Sequence, residues 1–160
     1  MAQHLFSSGS NNVGDKFGHG THVAGTIAGD SWFDSVDQGK YMGVAPQANL
    51  VNVKIADDTG LAYESDIING IQWVIANRAT YNIRVMNISL QESVAESYRT
   101  DPLDAAVEQA WFSGILVVAA AGNYGAKSEL YAPANNPFVV TLAAADMVGT
   151  TSNADDAVVS

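Results

Sequence analysis

Apolar positions recur along this chain with two different periods, and each period predicts a different element. From Ser65, the residues Ile67, Ile71, Val74 and Ile75 fall on one face of a helix that runs to about Asn77. A second helix is announced by Asp101-Pro102, an acid suited to cap the free N–H groups and a proline suited to the first turn. Leu103, Val107, Ala110 and Trp111 would line its buried face, and Ser113-Gly114 would end it. Between and beyond these stretches the pattern shortens. Leu50–Ile55 and Arg84–Leu90 are brief and rich in β-branched residues, and the uninterrupted apolar runs Ile115–Ala121 and Phe138–Ala144 suit strands covered on both faces. Residues 1–17 are polar and glycine-rich and read as a loop.

Strand, helix, strand, helix, strand in that order predicts right-handed crossovers and an α/β fold, with a doubly wound, mainly parallel sheet flanked by helices. In such sheets ligands bind beyond the carboxyl ends of the strands, so chemistry is expected just after Ile55, Leu90 and Ala121. No repeat, low-complexity tract or linker interrupts residues 1–160, which read as part of one domain.

Composition narrows the partners. Of 160 residues 48% are apolar, enough for one sizeable core. Seventeen acidic against seven basic residues give a net charge of −10, which argues against nucleic acid and against anionic membrane surfaces. The absence of cysteine removes disulfides and leaves the redox compartment open. The first ten residues lack the basic and apolar regions of a signal peptide, and no apolar run approaches the roughly 18 to 20 residues that span a bilayer.

The densest chemical signal is Gly18-His19-Gly20-Thr21-His22-Val23-Ala24-Gly25-Thr26-Ile27-Ala28-Gly29. A histidine pair three apart on a helix could face a metal, but the zincin pattern needs a glutamate beside the first histidine and a spacing of four, and Gly20 stands there instead. Close helix packing would explain the small residues without explaining His19. The string closely resembles the histidine motif of the subtilisin-like serine peptidases. That resemblance implies a general-base role for His19 and a structural role for His22, and an imidazole with a pKa near working pH suits a group that must take up and return a proton.

Further segments resemble the same family in the same order. Tyr41–Pro46 with Asn49–Lys54 looks like its G-V-A-P loop and next strand, Ile67–Val74 like the following helix, and Val85–Leu90 like the strand walling the substrate cleft. Val117–Asn123 ends an apolar strand in Gly122-Asn123. Gly-Asn after a strand is also an ordinary turn. The resemblance implies instead that Asn123 donates its side-chain amide to the oxyanion of the tetrahedral intermediate. It also implies substrate-binding roles for Gly60, Leu61 and Ala62 along one edge and for Ser89, Leu90, Gln91 and Gly122 at the other, with a peptide added as a strand between them. Gln91 and Glu92 stand where better-known members have glycines, so the primary pocket should differ in shape. Tyr124 is a candidate for the pocket rim, or simply an exposed loop residue.

Two of the family's parts are missing from the pattern. Asp15 is too close to the histidine motif to be the catalytic aspartate, and Gly149-Thr150-Thr151-Ser152 lacks the helix expected after a nucleophilic serine, so Ser152 is not nominated. The resemblance thus implies the central portion of a secreted, monomeric serine endopeptidase acting on proteins or peptides, a portion inactive by itself. No cofactor is required by that chemistry and no metal ligand is assigned. Structural calcium is common in the family, and Asp30, Asp34, Asp37 and Asp57 or Asp58 offer oxygen atoms, although a solvated acidic loop accounts for them too. The rival reading is a peptide-binding module that keeps the cleft without the nucleophile.

Overall fold

The structure is a computed structural model that describes every residue except Met1, Met147, 150–153, 155, 156, 159 and 160. Ser152 therefore lies outside the described residues. The chain divides into two compact units, Met1–Gly70 and Ile71–Ser160.

In the first unit, β1 (Ala2–Leu5) pairs in parallel with β2 (Val51–Lys54), Ala2 opposite Val51 and Leu5 opposite Lys54. Residues 1–17 are therefore not all loop, as their composition suggests. The four residues of β1 carry too little apolar pattern to be recognised alone, and the ladder to β2 makes them a strand. Helix α1 spans His19–Ala28 between these strands. Helix α2 (Glu64–Tyr81) begins here with Glu64 and Asp66 in its first turn, where negative charge suits the helix dipole. Asp66 is buried, and its Oδ2 accepts from the Ser8 backbone N–H at 2.7 Å and from the Ser8 hydroxyl at 2.8 Å, which ties the helix to the chain leaving β1.

The second unit carries the longer sheet. β3 (Val85–Ile88), β4 (Leu116–Ala120) and β5 (Val140–Leu142) run parallel in the order β3-β4-β5, with Ile88 opposite Ala119 and Ala120 opposite Leu142. A short antiparallel pair, β6 (Ala145–Asp146) with β7 (Ala157–Val158), follows. The end of α2 is closed by Asn82 at a positive φ of 51° and by the Ile83 N–H returning to the Arg78 carbonyl at 2.8 Å. Helix α3 (Pro102–Phe112) has the predicted start, since the Asp101 carboxylate accepts from the Asp104 N–H at 3.0 Å ahead of Pro102.

Leu103, Ala106, Val107 and Ala110 of α3 pack into the core with Ile88, Ile115, Val117 and Ala119. Trp111 does not join them. It keeps 37% of its surface exposed, because the buried stripe at 103, 106, 107 and 110 leaves position 111 at the edge of that face. The run Phe138–Ala144 also departs from expectation: β5 lies at the sheet margin, and Leu142 is 58% exposed instead of covered on both faces. No described helix is long and apolar enough to cross a membrane.

A charged group sits inside this core. Asp104 is fully buried in α3, and neither carboxylate oxygen has a hydrogen-bond partner among the described residues, the Asn136 amide being bonded to the Asp104 main-chain carbonyl at 3.3 Å. Burial lifts its pKa to about 6; the nearby Asn136 amide opposes the shift, and Asp101 and Glu108 add to it by like-charge repulsion. Between about pH 4 and 6 the folded chain keeps a proton that the unfolded chain has released. The stabilisation linked to that proton is therefore complete below pH 4 and lost as pH rises through 6. In denaturant titrations across this range, Asp104→Asn is expected to gain roughly 2 to 3 kcal/mol on the parent between pH 4 and 8, about 1.4 kcal/mol for each unit of pKa difference. A stability difference independent of pH would show that Asp104 is not held protonated by the fold.

Candidate active site

His19 is the first residue of α1, and the residue before it, Gly18, takes a left-handed φ of 89° that a side chain would resist. Gly18 has no side chain with which to cap the helix, and Asp15 does so from three positions upstream. Its Oδ1 accepts from the Gly18 N–H at 2.8 Å, and its Oδ2 from the Thr21 N–H at 2.7 Å and the Thr21 hydroxyl at 2.8 Å. The Thr21 backbone bond is the largest influence holding the Asp15 carboxyl below its usual range; partial burial works against it, and the Gly18 N–H, the Thr21 hydroxyl and Lys54 reinforce it. The first helical turn, and with it the backbone of His19, is thus clamped by one carboxylate.

The loop leading to that turn is held as well. Buried Lys54 at the end of β2 donates from Nζ to the Gly14 carbonyl at 2.7 Å and pairs with Asp58 at 3.3 Å, while Lys16 meets the same Asp58 at 2.6 Å. The His19 side chain is exposed and makes no hydrogen bond to a described residue. His22, one turn on, is exposed too and borders a shallow groove with Thr26, Tyr41 and Met42. None of the residues of α1 is buried, although Val23, Ala24 and Ile27 are apolar.

In the second unit, parallel pairing of β3 and β4 delivers two loops from adjacent carboxyl ends, Ser89–Glu92 and Ala121–Asn123. Gly122 turns the second of them with φ 95°. The Ala121 N–H is anchored to the Leu142 carbonyl at 2.8 Å and the Asn123 N–H to Gln91 Oε1 at 3.0 Å. The Asn123 side chain, by contrast, is exposed and bonded to no described residue. A rigid backbone carrying a free amide donor at a strand terminus suits stabilisation of developing negative charge.

Residues 4–158 match the Subtilase family of peptidases (Peptidase S8). The chain belongs to the subtilase family. It is 40% identical over 152 residues to serine protease AprX of Bacillus subtilis (strain 168), covering 91% of this chain and 34% of that one. With subtilisin E of the same strain it shares 41% identity over 140 residues, 86% of this chain and 33% of the relative. The chain thus spans about a third of the length of these relatives. Among solved structures, Sphericase superposes with a TM-score of 0.77 at 30% identity, over 98% of this chain and 51% of its own. A cold-adapted subtilisin-like serine proteinase gives 0.68 at 32% identity, over 88% and 46%.

The string Gly18–Gly29 lies in the first unit, at a capped helix terminus, and the Gly122-Asn123 turn lies in the second. Gly60, Leu61 and Ala62 belong to a tight loop of the first unit bridged from Ala62 to Ala56. Asp57 organises it: its N–H donates to the Leu61 carbonyl at 2.7 Å, and its Oδ1 accepts from the Leu61 N–H at 3.0 Å and from the Thr59 N–H at 2.8 Å. Both backbone groups of Leu61 are therefore engaged internally. The other loop aspartates have comparable roles. Asp34 accepts from the Val36 and Asp37 N–H groups, Asp30 from that of Trp32, and Asp37 pairs with Lys40 at 3.1 Å. Ser89 receives a hydrogen bond from the Asn87 amide at 2.8 Å, and Tyr124 packs on Tyr131 with ring centroids 4.8 Å apart while staying half exposed.

One contributor escaped the sequence reading, and for a second, Gln91, it named a substrate-binding role without the contacts. Asp15 was weighed only as a catalytic aspartate, and its spacing from Gly18 and Thr21, three and six positions, was the signal of a cap. Gln91 registered as a departure from glycine, but which groups its carboxamide would meet could not be read without the neighbouring strand. For Asp15 the expectation is numerical. Asp15→Ala should lower stability at pH 7 by about 1 to 2 kcal/mol, the usual value of a helix cap. Since the folded-state pKa is depressed, that stabilisation is present above about pH 4 and disappears as the solution is acidified through the lower folded value. Unfolding at pH 7 and at pH 3 checks both halves, and equal stability of variant and parent at pH 7 would remove the cap from the account.

Proposed function

We propose that this chain is the central portion of a single serine endopeptidase catalytic domain, with His19 as general base and Asn123 as oxyanion donor. The aspartate that orients the histidine and the nucleophilic serine come from sequence on either side. The observation that carries the reading is the state of Asn123, whose backbone is pinned while its amide stands exposed and bonded to no described residue. A turn-forming asparagine normally bonds its own backbone two residues on, and this one does not.

His19 would accept the serine proton as the hydroxyl attacks the peptide carbonyl. As the carbonyl oxygen becomes negative, the Asn123 amide donates to it, and His19 then hands its proton to the departing amine to leave an acyl-enzyme. Water repeats the sequence and releases the acid. The apolar, unburied face of α1 supports the same reading, because a helix of that composition is ordinarily covered by protein. The full-length protein would act outside the cell on proteins or peptides, as a monomer and without a cofactor in its chemistry. A binding module would have no need for both His19 and Asn123.

Variants of the full-length protein test the assignment. Asn123→Ala is expected to lower kcat by about 10² to 10³ with little change in KM, the magnitude known for an oxyanion donor in a subtilisin. His19→Ala should abolish turnover, whereas His22→Ala should act mainly on stability. If Asn123→Ala kept parental kcat per titrated site, or if His22→Ala proved more damaging to turnover than His19→Ala in folded protein, the roles would have to be reassigned. The 160-residue chain by itself should hydrolyse no peptide and take up no serine-directed phosphonate; stoichiometric labelling of any of its serines would show that the nucleophile is present after all.

A further inference from the structure

The residue that most distinguishes the Asn123 region is Gln91. Its side chain leaves the loop after β3, crosses to the loop after β4 and occupies two backbone groups there: Oε1 accepts from the Asn123 N–H at 3.0 Å, and Nε2 approaches the Ala121 carbonyl at 3.5 Å. Between those two residues lies Gly122, and a Cβ built on it would collide with the Gln91 carboxamide. The carboxamide therefore fills the space between Ser89–Glu92 and Ala121–Asn123 and lies flat against the one residue whose lack of a side chain makes room for it.

The position of that plug relative to the chemistry follows from the role proposed for Asn123. If the carbonyl under attack points its oxygen at the Asn123 amide, the α-carbon attached to that carbonyl is one bond away, and its side chain must enter space bordered by the residues flanking Asn123. Gly122 and Tyr124 are those residues, and on the Gly122 side the space is already taken by the Gln91 carboxamide. We propose that Gln91 is a specificity-determining residue, closing this subsite so that the substrate residue donating the acyl group carries a small side chain, that of glycine, alanine or serine. The inference rests on the peptidase reading above and names its substrate class. A large side chain could enter only by displacing the carboxamide, which breaks its hydrogen bonds to the turn and leaves the Asn123 N–H in need of a partner. Discrimination through the filling of a pocket commonly amounts to about 10- to 200-fold in kcat/KM.

The test uses the full-length protein and a set of otherwise identical peptides bearing alanine, leucine or phenylalanine on the acyl side of the cleaved bond. The parent is expected to prefer alanine over phenylalanine by about 10- to 100-fold in kcat/KM, and Gln91→Gly to reduce or invert that ratio by a similar factor, with Gln91→Ala between them. Ratios between substrates do not depend on how much of a variant folds or on any general loss of kcat from loosening the Asn123 turn. A parent that cleaves the phenylalanine peptide as well as the alanine one, or variants that both retain the parental ratio, would overturn the role of Gln91 and leave the peptidase reading intact. Failure of the parent to cleave any peptide of the set would overturn the peptidase reading, and the specificity inference with it.

Discussion

Parallel pairing of β3 with β4 is the constraint on which the arrangement around Asn123 depends. Parallel neighbours end at the same edge of a sheet, so the loops after Ile88 and Ala120 emerge together although more than thirty positions separate Gln91 from Asn123 in sequence. The register, Ile88 opposite Ala119, decides which residues of those loops meet. Slipping β3 by one residue would turn its buried side chains to the other face and carry Gln91 away from the Asn123 N–H. The packing of α3 against β4, both with buried apolar residues, resists such a slip.

In the first unit, the turn that carries His19 is held by charge instead of by a sheet. Asp15 supplies the acceptors that the first turn of α1 lacks, and buried Lys54 holds the preceding loop by its carbonyl and by Asp58. A lysine nine-tenths buried is tolerable only because its ammonium has such partners. The acidic surplus of the chain is partly explained by these local duties, since Asp15, Asp34 and Asp57 each accept backbone N–H groups that would otherwise be left to water.

Elements whose formation is governed by local pattern were legible in the sequence. Asp101-Pro102 marked the start of α3, the spacing of Ile67, Ile71 and Val74 marked α2, and the apolar runs located β3, β4 and β5 to within a residue or two. What could not be read depended on partners distant in the chain. β1 exists because β2 pairs with it, Trp111 is half in solvent because of where the core ends, and the apolar surface of β5 is bare because β4 is its only neighbour among the described strands. The site divides in the same way. His19 and Asn123 stand out by motif, whereas the use of Asp15 as a clamp and of Gln91 as a bridge depends on which backbone groups lie within three ångströms of a side-chain oxygen.

The bonds of Asp15 and the bond of Gln91 differ in how much chain they enclose. Asp15 reaches residues three and six positions ahead, so its loop closes at almost no entropic cost and can form as soon as that stretch leaves the ribosome. The bond from Asn123 to Gln91 closes a loop of 32 positions and has to wait for two strands and a helix to assemble. A growing chain would therefore carry an ordered histidine turn well before the backbone at Asn123 is fixed, so the two loops become rigid at different stages of folding.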